Sequence, residues 1–442
     1  VLSRSGFGYL AFAGLSAQAA APYQSPTLPK APHFTPRAKR VILLAMQGGP
    51  SHLDTFDYKP KLKADAGKPG DKGKLVAPVA EFKQRGQSGL WISEAFPQVA
   101  QHADELCLLR GMHTDIPNHP QAFVQLHTGS ARFVRPSLGA WTLYGLGVES
   151  RSLPGYVVMP DPKGALEAGQ PMYMQGFLPA MYQPTMFRPG RRPVLNLELP
   201  AGIEPSQRRR TLQFIRDLNQ ETLDPGDAEF HARINAYDVA FRMQSEAPEV
   251  LDLSKESQET LDLYGIGKEP THDYGRRCLL ARKLIESGVR FTCVVSGGGA
   301  GNLQWDAHGD IEENHLRKAA ETDQPIAGLL KDLKRRGLLD STLVLWGGEF
   351  GRSPEAESGK GRDHHNLGFS MWMAGGGIKG GQVVGATDAI GLRAIERPSH
   401  FRDIHATILH QLGLDQHQLT FPHLGRDERL TFIEGKVIQE IV

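Results

Sequence analysis

Acids and imidazoles gather in this chain where apolar runs give way to glycine. In the stretch 341–377, STLVLWGGEFGRSPEAESGKGRDHHNLGFSMWMAGGG, the run Thr342 to Trp346 meets Gly347 and Gly348 and then Glu349. A Gly- and Ser-rich loop follows and closes on Arg362, Asp363, His364 and His365, ahead of a second apolar run, Phe369 to Ala374. A carboxylate delivered to a turn, with imidazoles across the same loop, is chemistry carried by a loop on a rigid scaffold. The pattern recurs. RVILLAMQGG, from Arg40, leads into PSHLDTFD with His52 and Asp54, and VRFTCVVS, from Val289, leads through three glycines to Asp306 and His308. A fourth segment, MHTDIPNHPQAFVQLHTGS, holds Asn118 and His119 between Pro117 and Pro120. Pro120 suits the first turn of a helix, which puts His119 near a helix N-terminus, a position that favours anions. Mixed carboxylate and imidazole donors suit a divalent metal, one or two ions of zinc, manganese, iron or calcium, able to polarise an ester and acidify water.

These donors need a scaffold that brings strand ends together. Strands are expected at 40–46, 106–110, 156–159, 289–296, 342–346 and 369–374. Helices are expected at 92–105, from His119, at 206–220, within 226–260, and at 273–287, 315–336 and 400–412. Strands alternating with helices indicate an α/β fold with a mostly parallel sheet covered on both faces, a three-layer α/β/α sandwich. In such sheets ligands bind beyond the carboxyl ends of the strands. The segment 169–187, dense in Met, Tyr, Phe and Pro, suits an adaptable lining or lid, and 150–270 is where a cap would be inserted. Asp57 reads as a turn acid and His315 as a solvated helix residue.

Composition removes whole classes of partner. The 442 residues carry 50 Lys plus Arg against 49 Asp plus Glu, a net charge of +1, so no global field points to nucleic acid or an anionic membrane. Three widely spaced cysteines without a CxxC argue against a disulfide framework or a thiolate zinc site, and Cys293 reads as a core thiol. The N-terminal SRSGFGYLAFAGLSAQAAAP is too short an apolar run for a membrane span and fits a secretory signal with an A-x-A-like end. Its RSGFG lead-in resembles the end of a twin-arginine export signal, although no Arg-Arg pair is present. Residues 1–38 are therefore expected to be an export-signal remnant and linker, and 39–442 the functional domain. The protein is expected in the periplasm or outside the cell, without an integral membrane segment in the mature chain.

The segments GGPSHLDTFD, MHTDIPNHPQAFVQLHTGS, WDAHGD, LWGGEFGRSP and GRDHHNLGFSMWMAGGGIKGGQVVGATD resemble the hallmark segments of the DUF1501 family, in order, over residues 40–415. That family is related to the alkaline phosphatase and sulfatase superfamily. The resemblance implies an alkaline phosphatase-like α/β/α sandwich with a metal site at the carboxyl edge of its sheet. STLVLWGGEFG is similar to the sulfatase strand ending in Ser-Asp-His-Gly, which puts Glu349 at the metal-binding acid and Phe350 where a histidine is expected. RVILLAMQGG resembles the first strand, with Gln47 in place of its metal-binding aspartate and Asp54 as the substitute. HPQAFVQLHTG is similar to the segment that carries the sulfatase nucleophile, and His119 or Asn118 stands at that position.

No cysteine, serine or threonine is available there, so the options are metal-activated water, attack by His119, or no hydrolysis. Metal-activated water is the preferred expectation. Asp306, His308, Asp363 and His364 are the first-choice ligands, Glu349 and Asp54 the next, and His365 a ligand or an acid. His119 and Arg352 are expected to face an anionic ester, small-molecule or polysaccharide, since guanidinium pairs bidentately with phosphate or sulfate oxygens. A secreted binding or surface-associated protein that keeps the fold without turnover is the competing reading. A metal peptidase is disfavoured by the lack of HExxH.

Overall fold

The computed structural model describes residues 27–442 apart from 151, 189, 191–192, 195–196, 198–201, 223–238, 245–246 and 357–358. The stretch expected to be an export signal lies outside the described residues, as does much of the helix expected within 226–260.

The central sheet has nine strands: β1 (Arg40–Met46), β2 (Leu106–His113), β3 (Tyr156–Met159), β4 (Thr185–Met186), β5 (Phe291–Ser296), β6 (Thr342–Gly347), β7 (Phe369–Ala374), β8 (Gln382–Val384) and β9 (Ser399–His400). Their order is β8-β2-β7-β6-β1-β5-β3-β4, with β9 also paired to β2. β1 is parallel to both β5 and β6, in registers that pair Val41 with Phe291 and Arg40 with Thr342. Only β7 runs against its neighbours, antiparallel to β2 and β6. The reversal matters for the site. The segment entering β7, which carries Asp363 and His364, meets the segments leaving β1, β2, β5 and β6 at one edge of the sheet.

Alternation along β1 builds both cores. Ile42, Leu44 and Met46 pack on one face with helices α1 (His272–Glu286) and α2 (Ile311–Arg335), while Val41, Leu43 and Ala45 pack on the other. That second face is covered by three helices, His119–Thr128, Leu138–Leu146 and Phe401–Gln411. Period-two alternation with both faces apolar is what a buried parallel strand requires, and the result is the three-layer α/β/α sandwich. Among the described residues, no helix is long and apolar enough to cross a membrane.

Two expectations are corrected. Residues 92–105 are not one helix: Leu90–Ser93 pairs as a strand with Phe82–Arg85, and a 3-10 turn, Val99–Glu105, follows Pro97. Proline restricts the residue before it to extended backbone, which separates the two elements. Helix α2 begins four residues before the expected start because Asp310 caps it, accepting from the Glu313 amide at 3.0 Å. His315 thereby becomes an interior residue, 1 % exposed, whose Nε2 accepts from the Ser51 amide at 2.8 Å. Within the Met- and Tyr-rich segment 169–187, Met172, Leu178 and Tyr182 are buried in the core.

Candidate metal centre

Three side chains from three different segments converge at the carboxyl edge. His119 opens its helix, Asp306 follows β5, and His364 precedes β7; one donor atom of each lies within 4.8 Å of the others. Asp306 Oδ1 is the hub, 3.5 Å from His119 Nε2 and 3.4 Å from His364 Nε2. His308 Nε2 stands 3.2 Å from the same oxygen and 2.9 Å from His364 Nε2.

Both inner imidazoles are set from behind. His119 Nδ1 donates to Glu349 Oε1 at 2.5 Å, and that oxygen also accepts from the Gly48 amide at 2.9 Å. His364 Nδ1 donates to the Pro117 carbonyl at 3.0 Å. A carbonyl can only accept, so the Nδ1 proton is fixed and Nε2 presents its lone pair toward Asp306. Orientation of a metal-binding histidine through its second nitrogen is a recurring device of metal sites. His119 Nε2 and Glu349 Oε2 are both buried without a hydrogen-bond partner among the described residues. Two histidines and a carboxylate, with tautomers preset and a buried imidazole nitrogen uncommitted, fit a divalent cation of the zinc, manganese or iron type.

Without a cation the cluster holds a proton in its place, which a metal must displace because imidazole ligates only when neutral. Burial alone would raise the Asp306 pKa, yet His119, His364 and Arg352 hold it well below the usual carboxylate range. Burial would lower that of His119, but the Asp306 and Glu349 carboxylates outweigh it and raise it to about 9. Burial dominates at His364, whose pKa is lowered. The Phe350 ring, in place of the histidine that the resemblance called for, lies against both imidazoles, its centroid 4.7 Å from His119 and 4.9 Å from His364.

Backbone close to the cluster explains its glycines. Gly48 has φ +109°, and a Cβ there would lie 2.7 Å from the Asp306 amide. A larger residue would displace Asp306.

Several expected site residues take other roles. Asp54 is fully buried and spends both carboxylate oxygens elsewhere: Oδ2 accepts from Arg362 Nε at 2.7 Å and from Ser51, Oδ1 from Val79 N at 2.9 Å. It anchors Arg362, and with it the loop that presents His364. Arg352 is also fully buried, donating to the Gly48 and Gly49 carbonyls, to Arg362 O at 3.2 Å and to Asp306 Oδ1 at 2.7 Å. It braces the β1 turn and does not face an open anion site. Glu349 stands behind His119 rather than in the three-donor group. His365 donates to the Leu392 carbonyl, and burial lowers its pKa. Asn118 occupies the N-cap position of its helix with no side-chain capping bond. His52 is bound to the Gly391 carbonyl at 2.8 Å. Asp363 holds His308 Nδ1 at 3.1 Å, the two side chains being 46 % and 49 % exposed, so this pair forms the mouth of the centre.

Sequence reasoning missed Arg362 as the anchor of the loop and the Pro117 carbonyl as the orienter of His364. The tertiary pairing leaves no local pattern for the first. The run IPNHP, with its paired prolines, was the available signal for the second.

A family model described as "Protein of unknown function (DUF1501)" matches residues 38–442. No curated protein matches the chain. Similar solved structures include the C-terminal periplasmic domain of EcEptC from Escherichia coli in complex with Zn, at 8% identity and TM-score 0.38, covering 89% of this chain and 87% of that one. A TAB5 alkaline phosphatase mutant with Mg bound gives 10% identity and TM-score 0.37 over 87% of this chain and all of the other. The phosphonate monoester hydrolase SpPMH from Silicibacter pomeroyi gives 10% identity and TM-score 0.35, over 91% and 76% of the two chains.

Proposed function

The chain belongs to the DUF1501 family, and from its site we propose an exported, metal-dependent hydrolase of sulfate or phosphate esters. One observation carries the reading: His119, Asp306 and His364 converge with both imidazole tautomers fixed from behind, by Glu349 and by the Pro117 carbonyl. A divalent cation held there supplies positive charge to polarise an ester oxygen and to acidify water. The chain's own groups do the rest. Glu349 and Pro117 keep the donor nitrogens aimed, Arg352 keeps Asp306 ionised, and Phe350 limits water on one side of the imidazoles. The His308 and Asp363 pair at the mouth is the half-exposed polar group that an incoming ester meets. The ester class follows the motif resemblance, and water is the nucleophile because neither Asn118 nor His119 offers a hydroxyl or thiol. Export follows the N-terminal pattern.

The test joins metal analysis of the purified full chain to a screen of aryl sulfates and phosphate mono- and diesters. The expected result is at least one equivalent of bound divalent metal and turnover of one ester class. Both should be lost in His364→Ala, with fold retained by circular dichroism. Metal-free wild-type protein with no turnover under added zinc, manganese, iron or calcium would sink the proposal. The non-catalytic reading draws on Arg352, whose guanidinium already neutralises Asp306 at 2.7 Å. It requires wild-type protein to fold and stay inactive whatever metal is supplied.

A further inference from the structure

A second cationic feature stands on the same edge of the sheet, two strands from β1. A shallow, open cleft is lined by Met159 at the end of β3, Arg188 beyond β4, Leu253, and Asp273, Arg276 and Arg277 on α1. Asp273, Arg276 and Arg277 fall three and four residues apart, so they share one helical face directed at the cleft. Three guanidinium groups thus meet one carboxylate on the wall. Among the described residues, no ion pair joins Arg188 or Arg276 to an acid.

Arg277 supplies the built part. It is 7 % exposed, its Nη1 donates to the Val295 carbonyl at the end of β5, and its guanidinium lies 5.1 Å from the Tyr274 ring centroid. Among the described residues its ion-pair partner is Asp161, 3.6 Å away and already accepting from the Gly297 amide at 2.9 Å. Arg277 Nε is buried with no hydrogen-bond partner among the described residues. A buried guanidinium with an unsatisfied N–H costs free energy that a bound acceptor would recover. Planar guanidinium groups favour oxyanions with paired acceptor oxygens. Met159 and Leu253 make the rest of the wall apolar.

We propose that this cleft binds a sulfate or phosphate group of a small anionic molecule, separately from the metal centre. β3 is two strands from β1, roughly 10 Å at ordinary strand spacing. The group could be the second anionic substituent of a substrate engaged at the metal centre, or a free inorganic anion acting alone. The shared chemistry is the oxyanion.

Calorimetric titration of the full chain with sodium sulfate and sodium phosphate, with chelator keeping the metal centre empty and ionic strength matched with chloride, tests this. Wild-type protein should bind one anion, and the Arg188→Ala/Arg276→Ala double variant should bind at least tenfold more weakly with an unchanged melting temperature. His364→Ala, altered at the metal centre, should bind as wild type, which separates this proposal from the hydrolase reading. Binding lost in His364→Ala but kept in the arginine variant would overturn it, as would wild-type protein that binds neither anion above chloride. A sugar monosulfate and the disulfate of the same sugar distinguish the sources. A gain of tenfold or more for the disulfate in wild type alone assigns the second substituent of a substrate, and equal affinity assigns a free anion.

Discussion

Asp306 Oδ1 carries the strongest constraint in the centre, since Arg352 and three imidazole nitrogens all approach one oxygen. Such crowding is tolerable only while the imidazoles stay aimed, and Glu349 does the aiming for His119. Glu349→Ala should therefore weaken metal binding by about 10- to 100-fold, as loss of an orienting partner does elsewhere. It also leaves the buried Gly48 amide and His119 Nδ1 unpaired, at about 1–3 kcal/mol. Chelator competition and thermal melting measure the two effects, and wild-type affinity in this variant would remove Glu349 from the centre. His364 and His365 make a second contrast. They form a short strand with Gly351 and Arg352, and neighbouring strand residues point to opposite sides, so only one of them reaches Asp306. Metal content should fall to background in His364→Ala and stay within a few-fold of wild type in His365→Ala. That alternation was legible in the sequence once the pair is seen as a strand. The choice of His364 over His365 was not, because it depends on which side faces Pro117.

At the scale of elements, the six longer strands of the sheet read well because they are short apolar runs ending in glycine or a turn signal, whereas β4, β8 and β9, two or three residues each, leave no such run. Donor positions at the ends of β1, β5 and β6 and ahead of β7 were legible for the same reason. The roles of Asp54 and Arg352 were not, because ion-pair partners are chosen across the fold: Asp54 meets Arg362, 308 residues away. A carboxylate near a strand end looks the same in sequence whether it holds metal or guanidinium. The difference has a measurable consequence. Arg362 is fully buried and also donates to the carbonyls of Val76 at 3.0 Å and Ala77 at 3.1 Å, tying the loop 361–365 to the excursion after β1. Asp54→Ala leaves that guanidinium buried without its counter-charge, a loss of roughly 3–5 kcal/mol. Denaturant unfolding should show it in metal-free protein as clearly as in metal-loaded protein. A destabilisation seen only with metal present would return Asp54 to the ligand set.

For the whole molecule, buried histidines set the acid limit. His52 and His405 have pKa values lowered to about 4 and His127 and His315 to about 3, each by burial first, with further lowering from His405 at His127. In the unfolded chain such groups titrate near 6.5. Between pH 6.5 and about 4 the unfolded state therefore binds protons that the folded state refuses, and stability falls as pH falls. Above 6.5 their contribution is complete. Asp323 opposes them: burial raises its pKa to about 6, so its contribution is complete below the unfolded value near 3.8 and is lost as pH rises through about 6. Four histidines outweigh one carboxyl, and the net slope over this window should be positive. Melting temperature followed from pH 7 to 4.5 in the presence of chelator should drop steadily. His315→Gln keeps an acceptor for the Ser51 amide but cannot take up a proton, so its curve should be flatter by about one proton, roughly 1.4 kcal/mol per pH unit below 6. An unchanged slope would mean that His315 is already protonated in the folded protein. That cannot coexist with the hydrogen bond it accepts from Ser51, and the turn after β1 would then have to be held by some other contact.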